Sequence, residues 1–256
     1  MVRELRLQLD PGSIELYRAI SRLATIYWDS GWLDEAAKLE EEVLKLEKEI
    51  LGDRHPDTIR ASSNLAVTYY DLGRVHDAEV LQEEVLTLRK EVLGECHPDT
   101  ITASSNLALT YSSLGRLRDA EMLQEKVLKL RKEVLGERHP DTISASSNLA
   151  VTYSDSGRLH DAEVLQEEVL MHRKEVLGER HPDTITASSN LALYYSDLGR
   201  LEDAERIQQE VLMLRKEILG ERHPDTISAS NNLALTSRKL GRLVDAEERD
   251  SRGTAF

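Results

Sequence analysis

Asparagine returns at one place in a 42-residue pattern, as Asn64, Asn106, Asn148, Asn190 and Asn232, each just before Leu-Ala. A carboxamide offers donors and an acceptor together, the same complement as a peptide bond. On helical layers stacked roughly 10 Å apart, successive amides would be separated by about three residues of extended chain. Each could then grip one peptide unit of a bound segment without reading its side chains. The other reading of the same residues is that each amide bonds to the neighbouring helix and only spaces the layers. Beside them lie Ser63, Ser105, Ser147 and Ser189, then Val67, Leu109, Val151 and Leu193, a mixed polar and apolar lining suited to peptide side chains.

Three arginines share those positions near the start of the chain: Arg18, Arg22 and Arg60. Arg18 and Arg22 are four apart, so they lie on one helical face. Arg22 occupies the place that asparagine holds in the later copies, which makes binding at that end ionic. In a chain of net charge −14, a local basic group points to an acidic residue, phosphate or carboxylate on the ligand. Pairing with nearby Asp or Glu is the alternative.

Other reactive residue types recur too evenly to form a catalytic site. His55, His97, His139, His181 and His223 each open a His-Pro-Asp-Thr run. A single His-Pro-Asp loop serves J-domain cochaperones, but a tripeptide repeated with every unit belongs to the fold. The histidines would stand roughly 10 Å apart, too far to share an ion whose ligands lie at about 2 Å. Their expected role is to close the loop and start a helix. His, Ser and Asp form no singular constellation, and no Gly-x-x-x-x-Gly-Lys is present, so neither an enzyme, a metal nor a cofactor is expected. Tyr69, Tyr111, Tyr153 and Tyr195 read as inter-helix packing. Cys96, the only cysteine, sits where the other copies carry arginine and reads as incidental.

The acidic balance argues against nucleic acid and against anionic membranes as partners. No apolar run is long enough to span a bilayer, and the opening MVRELRLQLDPGS is no secretory signal. One cysteine permits no intrachain disulfide, so a reducing, cytoplasmic setting is the simplest reading.

The elements that carry these residues follow from the repeat. Gly94 to Leu135, GECHPDTITASSNLALTYSSLGRLRDAEMLQEKVLKLRKEVL, comes back almost letter for letter 42 residues on. A fixed period of this length marks a solenoid of one continuous array. Each copy predicts two helices. In the second, His55-Pro56-Asp57-Thr58 opens helix A, whose Ile59, Ser62, Ala66 and Tyr69 share a face, and Gly73 ends it. Helix B, from about Asp77 to Leu93, carries Ala78, Leu81, Val85, Leu88 and Val92 as an apolar stripe. Glu83, Glu84, Arg89, Lys90 and Glu91 should meet water. The expected organisation is a leader at 1–12, repeats at 13–51, 52–93, 94–135, 136–177 and 178–219, a partial sixth at 220–250, and a tail at 251–256. The first repeat holds Trp28 and Trp32 and lacks the His-Pro-Asp-Thr start, as an end repeat can. In the sixth, helix A is expected to run through Leu240. Its helix B, LVDAEERDSRGTAF, loses the stripe after Ala246, which suggests an unsealed end or a piece of a longer array.

A helix with N-L-A-x-x-Y-x-x-x-G followed by one with D-A-E resembles a tetratricopeptide repeat. The 42-residue form, with HPDT before helix A and LRKEVLG closing helix B, is similar to the repeats of kinesin light chains over roughly residues 13–250. The resemblance implies an all-α, right-handed superhelix of antiparallel helix pairs with A helices lining a concave groove. It implies a non-enzymatic scaffold that binds an extended protein segment there. In that family the asparagine before the leucine often contacts the peptide backbone, which here means Asn64, Asn106, Asn148, Asn190 and Asn232. Light-chain grooves recognise peptides with acidic residues beside an aromatic, consistent with Arg18, Arg22 and Arg60 holding an acidic feature. Similar repeats also occur behind nucleotide-binding switch domains of the NB-ARC or NACHT type. The alternative is therefore a structural or sensor segment of such a protein, or an array that self-associates through its unsealed C-terminal end.

Overall fold

The computed structural model describes the backbone of residues 14–253 and the side chains of residues 16–241. Among the described residues there are eleven helices and no strand. They are α1 (Ile14–Asp29), α2 (Leu33–Leu51), α3 (Pro56–Asp71), α4 (Val75–Leu93), α5 (Pro98–Ser113), α6 (Leu117–Leu135), α7 (Pro140–Asp155), α8 (Leu159–Leu177), α9 (Pro182–Asp197), α10 (Leu201–Leu219) and α11 (Pro224–Gly253). A and B helices alternate as the repeat requires. The expected leader at 1–12 lies outside the described residues.

The chain divides into two compact units, residues 1–130 and 131–256. In the first, each of α1 to α4 packs on the next. Its core is a chain of overlapping clusters. Leu16, Tyr17 and Ile20 meet Val43; Ala37 and Leu44 meet Leu65, Tyr69 and Ala78; Ile59 meets Val85, Leu86, Ala103 and Leu107. In the second unit α7 to α11 pack consecutively in the same way. There Ile185, Leu191 and Tyr195 meet Ile207, Val211 and Ala229. Each fully buried Leu, Ile or Val contributes about 1.5–3 kcal/mol, and every cluster joins successive helices. The small Ala66, Ala78, Ala192 and Ala204 are fully buried, which lets helices approach closely.

Local chemistry sets the helix ends. In α3 the His55 backbone is extended, and its ring Nδ1 accepts from the Asp57 backbone N–H at 3.2 Å. The same N-cap recurs at His97, His139, His181 and His223. Proline follows at the first helical position, where its missing N–H costs nothing. Gly73, at φ 76°, carries the chain out of α3 towards α4.

Three local expectations are corrected. Ile59, Ser62, Ala66 and Tyr69 are buried together as expected, but the helix B stripe ends early, and Val92 is 44% exposed. Arg89 is half-buried and does not simply meet water. Its Nη1 donates to the backbone carbonyl of Asp99 at 2.7 Å, and Thr100 Oγ1 returns a longer bond, 3.4 Å, to the Arg89 carbonyl. The third correction is at the last repeat. Helix A does not stop near Leu240; α11 continues through Gly241 to Gly253. The sequence beyond Gly241 lacks the long apolar stripe that folds the other B helices back onto their A helices. The side chains on which that stripe and the unsealed-end expectation rest lie outside the described residues.

Candidate functional site

The A-helix residues singled out by the sequence come together in the first unit. Arg18 and Arg22 of α1, and Arg60 and Asn64 of α3, line one cleft of about 390 Å³. Glu47 of α2 and the His55 loop complete it. All three arginines are exposed. Arg60 Nη2 donates to Asp57 Oδ1 at 2.9 Å, and that bond holds the Asp57 carboxyl below its ordinary range. Arg18 and Arg22 form no ion pair with any described residue. Asn64 also borders a second cleft of about 220 Å³, with Thr25, Trp28, Glu40 and Val67 around it. There Trp28 Nε1 donates to Asp71 Oδ2 at 3.0 Å, which fixes the indole across the α1–α3 boundary.

Asn64 is exposed, and Asn106, Asn148, Asn190 and Asn232 are half-buried. None of these five side-chain amides bonds to another described residue. With no bond to a described residue, each amide has donors and an acceptor to offer. Asn64 and Asn106 belong to the first unit; Asn148, Asn190 and Asn232 belong to the second. Three residues after the last four amides, Leu109, Val151, Leu193 and Leu235 are between 37% and 46% exposed. Ser63, Ser105, Ser147 and Ser189 are half-buried beside them. Each of α5, α7, α9 and α11 thus presents an amide that bonds to no described residue next to an open apolar side chain.

Tyr69, Tyr111 and Tyr195 of the A helices are structural. Tyr69 Oη donates to Glu41 Oε1 at 2.7 Å, and the Arg74 guanidinium sits 3.8 Å from its ring centroid. Arg74 Nε donates in turn to Asp77 at 2.7 Å. Tyr111 with Glu83 and Arg116, and Tyr195 with Glu167 and Arg200, repeat this clasp. Burial, then the bond to glutamate, pushes Tyr69, Tyr111 and Tyr195 up to about 12. Such rings pin helix B to helix A and are not a free stacking platform.

Cys96 is exposed. The equivalent Arg54 and Arg180 pair with Glu91 and Glu217 at 2.9 Å, so the cysteine stands in a structural loop position. No group of three metal-ligating side chains occurs among the described residues, and no described helix is long and apolar enough to cross a membrane.

Sequence reasoning missed Glu47 and Tyr17, which both line the arginine cleft. Both are buried, and Glu47 Oε2 and Tyr17 Oη have no hydrogen-bond partner among the described residues. The signal for Glu47 was present: its repeat position is arginine in every later copy, as Arg89, Arg131, Arg173 and Arg215.

Comparison with known proteins assigns the architecture. The Tetratricopeptide repeat family model matches residues 15–91, 62–133, 99–175, 141–216 and 183–255. The chain therefore belongs to the tetratricopeptide repeat family. Its repeats are of the kinesin light chain-like kind. A kinesin light chain candidate from Podosopora anserina with nearly identical TPR-like repeats is 26% identical, with TM-score 0.72 over 78% of this chain and 94% of that one. BtubC (BKLC) from P. vanneervenii is 28% identical, with TM-score 0.72 over 87% of this chain and 89% of that one. MamA from Desulfovibrio magneticus RS-1 is 17% identical, with TM-score 0.60 over 80% and 96%, and shares the fold alone. No curated protein sequence matches the chain. The tetratricopeptide fold is generally a non-catalytic scaffold for protein–protein interaction.

Proposed function

We propose that this protein binds an extended, acidic segment of another protein along its A helices, and that it does so in the cytoplasm. The observation that carries the reading is the cleft of α1, α2 and α3, where Arg18 and Arg22 stand exposed, with no ion-pair partner among the described residues, beside an Asn64 amide that bonds to none of them. Guanidiniums with no ion-pair partner among the described residues need not be released from one, so a ligand carboxylate gains a charge-assisted bond. The asparagines then hold peptide units, Asn64 and Asn106 in the first unit and Asn148, Asn190 and Asn232 in the second. The open Leu109, Val151, Leu193 and Leu235 take apolar side chains beside them. Nucleic acid does not suit this face, because three arginines do not offset the net charge of −14.

Peptide-display selection on the purified chain tests the reading. Acidic, aromatic-containing extended peptides should be enriched. An Arg18→Gln/Arg22→Gln variant with unchanged helicity should lose them. Enrichment of peptides that bind the variant equally well would exclude the cleft as the acid-binding site.

A further inference from the structure

In every later repeat with a described neighbour, the arginine near the end of helix B closes the junction to the next helix A. Arg89 bonds the Asp99 carbonyl at 2.7 Å, Arg131 that of Asp141 at 2.8 Å, Arg173 that of Asp183 at 2.8 Å, and Arg215 that of Asp225 at 3.0 Å. At the first junction the same position is Glu47. A carboxylate cannot donate to the Asp57 carbonyl, so this junction has lost the repeat's own bond. What stands there instead is an open cleft lined by Glu47, a residue only 4% exposed.

Among the described residues Glu47 Oε2 has no hydrogen-bond partner, and neither has the buried hydroxyl of Tyr17 in the same cleft. A buried ionised group without a partner is costly, and burial pushes the Glu47 carboxyl above its ordinary range. Arg60 draws it back in part, but Arg60 is already bonded to Asp57, whose charge pushes Glu47 up again; His55 opposes this weakly. A pocket meant for an anion alone would be better served by the arginine found in the other copies. Here the cleft carries cationic side chains, Arg18 and Arg22, and an anionic one, Glu47.

Resting on the peptide-binding reading above, we infer that this cleft selects a bipolar feature of the bound segment: a carboxylate held by Arg18 and Arg22, with an ammonium group beside it seated on Glu47. The ammonium supplies the donors that Glu47 Oε2 lacks. Two sources share this chemistry: a lysine side chain next to an acidic residue, or the free α-amine of an N-terminal acidic residue. A purely acidic segment meets the arginines but is repelled by Glu47. Glu47 is therefore the specificity determinant, and the arginines supply the anchor.

Fluorescence anisotropy with three short labelled peptides tests this. One carries an aspartate alone with both ends blocked, one an aspartate–lysine pair with both ends blocked, and one an N-terminal aspartate with a free amine. The wild-type chain should prefer one or both bipolar peptides over the acid-only peptide by about tenfold, as a desolvated charge pair can deliver. Glu47→Gln, checked for unchanged helicity, should erase the preference by weakening the bipolar peptide while leaving the acid-only peptide equal or tighter. Acetylating the lysine or the α-amine should do the same without touching the protein, and it identifies the source. Equal affinity for all three peptides, or a Glu47→Gln effect of the same sign and size on each, overturns the inference alone, provided binding still needs Arg18 and Arg22. Failure of every peptide to bind, or binding indifferent to Arg18→Gln/Arg22→Gln, overturns the peptide reading with it.

Discussion

Arg89 donates from Nη1 to the Asp99 carbonyl at 2.7 Å, and through that bond the end of one helix B is tied to the start of the next helix A. Glu47 breaks the series at the first junction, so Glu47→Arg should rebuild the bond to Asp57. The substitution removes a carboxylate whose buried form binds its proton more tightly than the unfolded chain does. Such a group stabilises fully below its unfolded value and progressively loses that contribution as pH rises through its folded one. Near neutral pH, Glu47→Arg should therefore raise stability, by roughly 1.5–3 kcal/mol for a recovered charged hydrogen bond. Thermal unfolding checks this; a lower transition temperature would show that the cleft cannot accept the repeat's arginine.

The histidine N-caps make a second prediction. His97 Nδ1 accepts from the Asp99 backbone N–H at 3.2 Å, a role that an asparagine carbonyl also performs. His97→Asn should be close to neutral, and His97→Ala should cost about 1 kcal/mol. Denaturant unfolding distinguishes the two. Equal losses would mean that the ring matters by packing and not by its acceptor.

Alkaline titration tests the tyrosine clasps. Tyr69, Tyr111 and Tyr195 are held up to about 12 by burial and by glutamate, and Tyr194 by burial together with Asp155 and Asp197. An unfolded tyrosine ionises near pH 10. The folded chain keeps its protons longer, so this stabilisation is complete below about pH 10 and is lost as pH rises through about 12. Tyrosinate absorbance should therefore show these four rings ionising late, together with loss of helical signal. Ionisation of all tyrosines near pH 10 with helices intact would contradict the clasp.

The architecture was legible because repetition multiplies weak signals. One N-L-A says little, but five at a fixed spacing place every A helix. Ile59, Ser62, Ala66 and Tyr69 were readable as a buried face for the same reason. The charged side chains were harder to place. Arg89 looks like a solvated residue on a polar face, and only the geometry of the following loop shows its carbonyl partner. Glu47 failed differently: it was visible as a departure from the repeat, but a single charge reversal acquires meaning only once the bond made by the arginines is known. For Arg18, Arg22 and Arg60, spacing predicted a shared face and left pairing open. Arg60 proves to be paired with Asp57, whereas Arg18 and Arg22 have no ion-pair partner among the described residues.

Gly199 and Gly241 occupy the same place in successive repeats, yet their backbones differ. Gly199 lies at φ 78° between α9 and α10, whereas Gly241 is inside α11 and is not at positive φ. A Cβ added at either meets nothing within 4 Å, so only the backbone decides the outcome. Gly199→Ala forces alanine into the left-handed region and should destabilise the protein by about 1–2 kcal/mol. Gly241→Ala replaces an interior helical glycine and should gain up to about 1 kcal/mol with increased helicity. Circular dichroism with thermal unfolding reads both. If Gly241→Ala instead destabilises as Gly199→Ala does, the last repeat turns at Gly241 as the others do, and α11 is two helices.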